Sequence, residues 1–188
     1  MLLSPGQAGS AKLPPEGTMR LLLLRHAKSS WDEPGLADLE RPLAPRGRRV
    51  APLMAKLIAE RRWIPDLVLC SPAERVRETW QLMAPLLGEH IPCRTLRTLY
   101  PGAPSRVLMT LRRAPDEART LLLIGHNPGL AALATSLCGA GAKKGRERMS
   151  SKFPTAGLAV IDFDLAHWAE VAAGAGRLEA FVRPKDLD

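Results

Sequence analysis

Two short stretches of the chain place side chains suited to phosphate directly after apolar runs. Four leucines at residues 21–24 run into Arg25 and His26, and the apolar run at residues 121–124 is closely followed by His126. A guanidinium offers a planar fork of N–H donors that matches phosphate oxygens. A neutral imidazole can attack phosphorus and hold it covalently. These residue types therefore suggest phosphoryl chemistry, provided that the fold brings them together.

A third candidate stretch lies between these two in the chain. Residues 66–70 read Asp-Leu-Val-Leu-Cys, Ser71 follows, and Arg75 comes one helical turn later. Taken alone, an arginine near a helix start is commonly a solvated surface charge. A histidine at a strand end is commonly a hydrogen-bonded structural residue. The functional interpretation therefore depends on convergence of the three stretches in space.

The elements that would position these residues are three strands, each followed by a helix. The predicted strands span residues 19–24, 66–70 and 120–124, and the predicted helices span residues 46–61, 75–87 and 128–138. Continuous apolar runs are typical of strands buried on both faces. We take Ser71 as the candidate N-cap of the second helix. The alternation predicts an α/β domain with a mainly parallel sheet covered by helices on both faces.

Such a sheet would gather the candidate residues at one edge. In an open parallel sheet, functional groups collect beyond the carboxyl ends of the strands. Two guanidiniums, of Arg25 and Arg75, and two imidazoles, of His26 and His126, would meet there. Backbone N–H groups at the helix starts would add to an anion site. The pattern indicates a phosphoryl-transfer pocket that needs neither a metal ion nor another cofactor.

The remaining segments carry weaker signals. We predict an edge strand at 93–99, a helix at 105–113, a loop at 139–152, and a hairpin-like pair of strands at 157–163 and 177–181. The predicted loop is basic, and it is either a solvated surface or a border of the pocket that attracts an acidic phosphoprotein. Residues 19–188 are predicted to form a single domain. Residues 1–18 are predicted to be a flexible tail, which makes Met19 a candidate for the natural start.

Composition limits the function classes. The chain has 188 residues and a formal net charge of +8, which suits an anionic partner as well as it suits plainly solvated arginines. The arginines are scattered rather than interleaved with aromatic residues, so we expect no nucleic-acid surface. Three widely spaced cysteines indicate neither a disulfide framework nor a metal site, and they fit a reducing cytoplasm. No apolar run reaches the ~18 residues of a membrane span.

Taken in order, the motifs resemble those of a known family. The stretches are "LLLLRHAKSSW", "RPLAPRGRR", "LVLCSPAERVRETW", "LLLIGHNPGL" and "FPTAGLAVIDF". They resemble the histidine phosphatase superfamily, and more narrowly its compact SixA-type phosphohistidine phosphatases. The Arg-His pair alone is a loose motif, whereas its combination with the later motifs in this order is specific. The resemblance runs from about Met19 to Leu187.

The resemblance implies a fold and a set of roles. The implied fold is a three-layer α/β/α sandwich with a mainly parallel central sheet. His26 would be the nucleophile that becomes phosphorylated, and Arg25 and Arg75 would bind the phosphoryl oxygens. His126 would donate a hydrogen bond to the same oxygens and stabilise the transition state. The implied activity is a metal-independent phosphatase for phosphohistidine on a protein.

One departure from the larger members of the superfamily bears on the substrate. Those members supply a carboxylic acid as general acid, often after the edge strand, but here that region reads "TLYPGAPSRV". A missing acid would slow hydrolysis of an ordinary phosphomonoester by about 10²–10⁴-fold. The imidazole of phosphohistidine leaves more readily, so the gap favours that substrate. Asp32, Asp38 and Glu40 are candidate surrogate acids in the loop after His26.

Three other types of site do not match the sequence, and two other functions remain possible. A cysteine phosphatase needs C-x₅-R, but that position after Cys70 is Val76, and Arg75 comes one residue too early. "GAGAKKGRER" lacks the order of a P-loop. A zinc site built from the two histidines is disfavoured because the adjacent arginine would repel the cation. Two alternatives stay open: a phosphatase for small phosphorylated metabolites or nucleotides, and a non-catalytic phosphate- or phosphoprotein-binding module.

Overall fold

A computed structural model describes residues 17–187 of the chain, as seven strands and five α-helices. The strands are β1 (Thr18–Arg25), β2 (Leu67–Cys70), β3 (Cys93–Thr95), β4 (Thr120–Gly125), β5 (Cys138–Gly141), β6 (Leu158–Asp164) and β7 (Gly176–Val182). The helices are α1 (Pro45–Glu60), α2 (Glu74–Leu87), α3 (Pro104–Leu111), α4 (Gly129–Leu137) and α5 (Lys143–Ser151). The predicted tail at 1–18 falls almost wholly outside the described residues, and its last residue, Thr18, already belongs to β1. Within residues 17–187, no helix combines the length and apolar character needed to cross a bilayer.

The seven strands form one sheet in the order β3-β2-β4-β1-β6-β7-β5. Strands β3, β2, β4 and β1 run parallel, β6 runs antiparallel to both its neighbours, and β5 runs parallel to β7. Helices α1 and α2 pack on one face, while α3, α4 and α5 pack on the other. The predicted three-layer α/β/α sandwich with a mainly parallel sheet is confirmed, as is the late antiparallel strand pair.

The leucine run of β1 forms the centre of this sandwich. Leu21 and Leu23 belong to the core under α3 and α4, whereas Leu22 and Leu24 belong to the core under α1 and α2. All four side chains are fully buried, because alternate residues of a strand face opposite layers and both layers are apolar. An unbroken leucine run is therefore what a strand at this position requires.

The register of the parallel strands brings three chain segments to one edge. Arg25 on β1 pairs with Gly125 on β4, and Ile124 pairs with Cys70 on β2. The ladder continues one step further, because the His26 N–H donates to the Gly125 carbonyl at 3.1 Å. The residues that follow β1, β2 and β4 therefore leave the sheet side by side.

The predicted loop at 139–152 is wrong, since this segment forms β5 and α5. β5 reaches the sheet edge because glycine lets its backbone approach a neighbouring turn, and a Cβ on Gly139 would lie 2.0 Å from the Gly174 carbonyl oxygen. α5 buries only Met149, so its polar surface hid the helix from any apolar periodicity.

Two predictions about α2 and the edge strand also need correction. The edge strand ends at Thr95 and a short 3₁₀ turn follows at 97–99, so the predicted strand at 93–99 is too long. Ser71 is not the N-cap of α2, which begins at Glu74 after Ala73. Its hydroxyl lies two residues before the cap residue and accepts from the Ala73 N–H at 3.3 Å, not from the N–H groups of the first helical turn.

The amino end of β1 carries a buried ion pair whose stability contribution is testable. Arg20, 2% exposed, donates two hydrogen bonds of 2.7 Å to the Asp162 carboxylate on β6. We expect Asp162→Ala to lower the free energy of unfolding by about 3–5 kcal/mol, because it leaves a buried guanidinium unpaired. The double variant Arg20→Met with Asp162→Leu should lose clearly less, as measured by urea unfolding. Equal losses would contradict this account.

Candidate functional site

His26 leaves β1 with its ring fixed in one orientation. Its side chain is buried, and the Nδ1 atom lies 2.7 Å from the Ala27 carbonyl oxygen. A carbonyl only accepts, so Nδ1 carries the proton and Nε2 carries the lone pair in the neutral ring. No hydrogen bond to Nε2 is made by residues 17–187. The nitrogen that could attack phosphorus is thus left unoccupied by this part of the chain.

Thr79 on α2 ties the helix to the end of β1. Its hydroxyl oxygen accepts from the Ala27 N–H at 3.1 Å and donates to the Arg75 carbonyl at 2.6 Å. Arg75 and Thr79 are one helical turn apart, so this bond follows from their spacing in the sequence. The Arg75 guanidinium is thereby held beside the residues that follow β1.

His126, after β4, has the opposite proton arrangement. Its Nδ1 lies 3.3 Å from Nη2 of Arg75, and a guanidinium only donates, so Nδ1 is the acceptor. Nε2 then carries the proton and donates to the Ser71 hydroxyl at 2.7 Å. Ser71 is fully buried, and its hydroxyl oxygen also accepts from the Ala73 N–H at 3.3 Å, so it joins His126 to the start of α2. The His26 and His126 ring centroids lie 5.1 Å apart.

Arg25 is anchored by the segment that leads into β6. Its Nη1 donates to the Phe153 carbonyl at 3.0 Å, and Nδ2 of Asn127 donates to the same oxygen at 2.8 Å. The Arg25 Nε is buried without a partner among residues 17–187. Its positive charge acts on both imidazoles by lowering their pKa values. The structure therefore brings Arg25, Arg75, His26 and His126 to one place.

Burial keeps both imidazoles neutral. Desolvation is the largest cause that lowers the pKa of His26, to about 3, and the positive charges of Arg75 and Arg25 act in the same direction. The bond to Ala27 opposes this shift without cancelling it. Desolvation, followed by the Arg75 charge, lowers the pKa of His126 to about 4. The pocket at neutral pH thus holds two neutral imidazoles and two guanidiniums, an arrangement suited to an oxyanion.

A carboxylate and a phenol stand at the mouth of this pocket. The Asp38 Oδ2 accepts from Nη2 of Arg75 at 2.9 Å and from the Tyr100 hydroxyl at 2.7 Å. These two bonds, with Tyr100 the stronger cause, lower the pKa of Asp38, so it is ionised at neutral pH. The Tyr100 ring lies 5.4 Å from the His126 ring. The Asp38 side chain remains half exposed.

The three candidate surrogate acids differ in position. Within residues 17–187, Asp38 alone among them bonds to one of the four pocket residues. Asp32 instead accepts a hydrogen bond from the Ser30 hydroxyl at 2.7 Å. Glu40 is exposed in the turn that carries Asp38.

Sequence reasoning missed several supporting residues. Tyr100 carries no sequence signal of its own, because its bond to Asp38 joins segments 62 residues apart. Ser71 and Thr79 belong to the sequence motif S-P-x-x-R-x-x-x-T, but the motif does not indicate which groups their hydroxyls bond. Asn127 follows His126 directly, yet its bond to Phe153 depends on a segment 26 residues away. No group of three His, Cys, Asp or Glu side chains able to hold a metal ion occurs in the described part of the chain.

Comparison with known proteins relates this site to a family. The family model "Histidine phosphatase superfamily (branch 1)" matches residues 21–100. An uncharacterized Mycobacterium tuberculosis protein is 41% identical over 165 residues, which are 86% of this chain and all of that protein. A crystal structure of SixA from Agrobacterium tumefaciens, named provisionally as a phosphohistidine phosphatase, is 33% identical with a TM-score of 0.74. The match covers 88% of this chain and 98% of the Agrobacterium chain.

A second solved structure extends the likeness. SixA from Nakamurella multipartitia, also named provisionally as a phosphohistidine phosphatase, is 25% identical with a TM-score of 0.79. The match covers 91% of this chain and 99% of that one. Both solved relatives therefore correspond to this chain over nearly their full lengths.

The two histidines should differ in tautomer, which long-range ¹H–¹⁵N NMR of the imidazoles can measure. We expect His26 as the Nδ1–H form and His126 as the Nε2–H form, with constant shifts from pH 8 to pH 5 because both pKa values are lowered to about 3 and 4. Exposed His167, whose pKa is raised by its bond to Asp116, serves as the titrating control. A midpoint near 6.5 for either pocket ring would contradict the account.

The same shifts set the direction of a stability effect. An unfolded chain takes up protons on these histidines below about pH 6.5, whereas the folded chain does so only near pH 3–4. The two rings should therefore lower the free energy of unfolding as the pH falls through this window. Replacing His126 with Phe should reduce the pH dependence of urea unfolding between pH 6.5 and pH 4.5. An unchanged slope would count against burial of the neutral ring.

Proposed function

Because this chain belongs to the histidine phosphatase superfamily, we propose that it dephosphorylates phosphohistidine on a protein through a covalent intermediate at His26. The coarser assignment, a phosphatase, is supported by the family and by the solved SixA relatives. The observation that carries the finer proposal is the orientation of His26. Its Nδ1–H is held by the Ala27 carbonyl, so that the Nε2 lone pair is available in a pocket where the charges of Arg75 and Arg25 act on the ring.

In the first step, the Nε2 lone pair of His26 attacks phosphorus in line with the leaving group. An N–P bond forms, and the bond from phosphorus to the leaving group breaks with its electron pair. The Arg25 and Arg75 guanidiniums donate to the equatorial oxygens and neutralise the charge on them. This charge neutralisation needs no metal ion, because two permanent cations lie beside the nucleophile.

His126 takes part by changing its protonation state. Its Nε2–H is already used by Ser71, so only Nδ1 can donate to the substrate, and Nδ1 must first bind a proton. A bound phosphoryl dianion favours that protonation, since an adjacent negative charge raises the pKa of an imidazole. Ser71 accepts from Nε2 throughout and keeps the ring oriented. The pKa of His126 is lowered to about 4 by burial and the Arg75 charge, and a bound dianion would raise it.

In the second step, water attacks the phosphoryl group on His26. An O–P bond forms, the N–P bond breaks, and its electron pair returns to Nε2. The products are inorganic phosphate and the neutral His26 with which the cycle began. The Nδ1–H bond to Ala27 stays in place in both steps, so the ring needs no rotation.

The choice of a phosphohistidine substrate is supported by the state of Asp38. This carboxylate is ionised and already accepts from Arg75 and Tyr100, so it has no proton to give an alkoxide leaving group. The imidazole that leaves from a phosphohistidine depends less on such a donor. The two SixA relatives are themselves named provisionally as phosphohistidine phosphatases.

A phosphatase for small phosphorylated metabolites or nucleotides is the second candidate, favoured by the position of Asp38 at the pocket mouth, 2.9 Å from Arg75. In that reaction Asp38 would have to bind a proton and pass it to the leaving oxygen. The non-catalytic alternative predicts binding of the same phosphoryl groups without turnover. The experiments below separate the three.

Trapping with a labelled phosphohistidine protein tests the covalent intermediate. We expect rapid quenching to yield one phosphoryl adduct per chain that is stable in alkali and lost in acid. The adduct should be absent from His26→Ala, with turnover reduced by at least about 10³-fold because the nucleophile is gone. Normal turnover by His26→Ala would refute the mechanism. Substrate binding by the wild type without any phosphate release would establish the non-catalytic module.

Substitution of Asp38 by Asn tests the choice of substrate. Asn keeps the shape and one acceptor oxygen but cannot donate a carboxylic proton. We expect turnover of a phosphohistidine protein to fall less than tenfold. A selective loss of about 10²–10⁴-fold with a sugar phosphate would instead identify Asp38 as the acid of a metabolite phosphatase. Asp32→Asn is the matched control, since it removes the same charge from the same loop away from Arg75.

A further inference from the structure

A cavity of about 350 Å³ lies beside the His26 pocket at the same edge of the sheet. Its lining includes Lys28, two residues after His26, and segments next to the start of β6 and the end of β7. Leu24, Leu158 and Val182 stand in register on β1, β6 and β7, so this edge continues from the His26 pocket. Neighbouring strands are about 5 Å apart, which places the cavity one to two strands from β1.

The ionisable side chains that line this cavity are all positively charged. Its ionisable lining side chains are Lys28, Arg46, Lys152, Arg183 and Lys185, and we call this site the basic cavity. Arg183 pairs with Asp186 at 2.9 Å. Within residues 17–187, the other four make no salt bridge. Four like charges that converge from separate segments repel one another, and a bound anion would offset that repulsion.

The start of α1 strengthens this charge pattern. Arg46 lies in its first turn, where the helix dipole disfavours a cation, and that turn holds no acidic residue. Arg46 and Gly47 of this turn both line the cavity. A solvated surface would scatter such charges over a convex face, whereas here they line a concavity.

The cavity is connected to the catalytic residues through the main chain. Ala156 lines it, and the Ala156 N–H donates to the Arg25 and His26 carbonyls, each at 3.0 Å. Ala156 adopts a φ of +55°, a left-handed conformation that is costly for a residue with a Cβ. Such strained residues concentrate at functional sites. A ligand that contacts this segment would act directly on the backbone that carries His26.

We propose that the basic cavity binds a small phosphoryl-bearing anion. Its volume is at the lower end of the range for small-molecule sites. The cavity is therefore sized for a small ligand rather than for part of a folded protein. Val50 and Pro154 add apolar wall for an organic portion. The anion has two possible sources: a distal phosphoryl group of the substrate in the His26 pocket, or a separate ligand. The inference does not depend on which phosphoryl substrate that pocket takes.

In the basic segment 139–152, only some of the lysines line the basic cavity. Lys152 lines the basic cavity, whereas Lys143 and Lys144, at the start of α5, do not. This division supplies matched variants with the same change in net charge. K152Q/K185Q removes two cations from the cavity, and K143Q/K144Q removes two from the exposed helix surface.

Calorimetric titration of the full chain with inorganic pyrophosphate at low salt tests the site. We expect two sites in the wild type, the His26 pocket and the basic cavity. K152Q/K185Q should weaken one of them at least tenfold, while K143Q/K144Q should change neither by more than twofold. Thermal melting verifies that both variants are folded, and Arg46→Gln provides a second cavity variant. Unchanged binding by K152Q/K185Q, or equal weakening in both double variants, overturns the proposal.

Steady-state kinetics then distinguishes the two sources of the anion. If the substrate supplies it, K152Q/K185Q raises KM for a sugar bisphosphate at least tenfold more than KM for p-nitrophenyl phosphate. If a separate ligand supplies it, pyrophosphate changes the turnover of p-nitrophenyl phosphate by the wild type without competing with it. That response should be lost in K152Q/K185Q and kept in K143Q/K144Q. The absence of both effects would refute a functional role for the cavity.

Discussion

The register of three parallel strands is the constraint on which the site depends. Because Arg25 pairs with Gly125 and Ile124 pairs with Cys70, the residues that follow β1, β4 and β2 emerge side by side. A shift of one residue in β1 would exchange the two layers that its leucines face. The leucines alone do not prevent such a shift, because leucine would replace leucine in both apolar layers. The buried ion pair between Arg20 and Asp162, which stand opposite each other on β1 and β6, helps to fix the register.

Burial and hydrogen-bond direction then divide the roles of the two imidazoles. The Ala27 carbonyl leaves a lone pair on Nε2 of His26, whereas Arg75 and Ser71 place the proton of His126 on its own Nε2. Desolvation keeps both rings neutral, and the guanidiniums supply the positive charge. Two residues of one type can therefore serve as a proposed nucleophile and a proposed donor in a single pocket.

Positive charge lines the edge of the sheet from the His26 pocket, after β1, to the basic cavity near β6 and β7. The His26 pocket and the basic cavity share this edge and are linked through the Ala156 main chain. Asp38 moderates this charge at the His26 pocket by pairing with Arg75 at 2.9 Å and with Arg41 at 3.3 Å, and Asp186 pairs with Arg183 at the basic cavity. An incoming phosphoryl group has to share Arg75 with Asp38. Part of the formal net charge of +8 therefore lines concave sites, where it can attract anions.

The order of strands and helices, the mainly parallel sheet and the four pocket residues could be predicted from the sequence, because apolar periodicity and local motifs encode them. Strand β5 and helix α5 could not, since α5 buries only Met149 and both elements pack against β7, which lies further along the chain. The same reason hid Tyr100, the tautomers of the two histidines, and the convergence of Lys28 with Lys185. Each depends on contacts between separate segments, and only the packed tertiary structure sets those contacts.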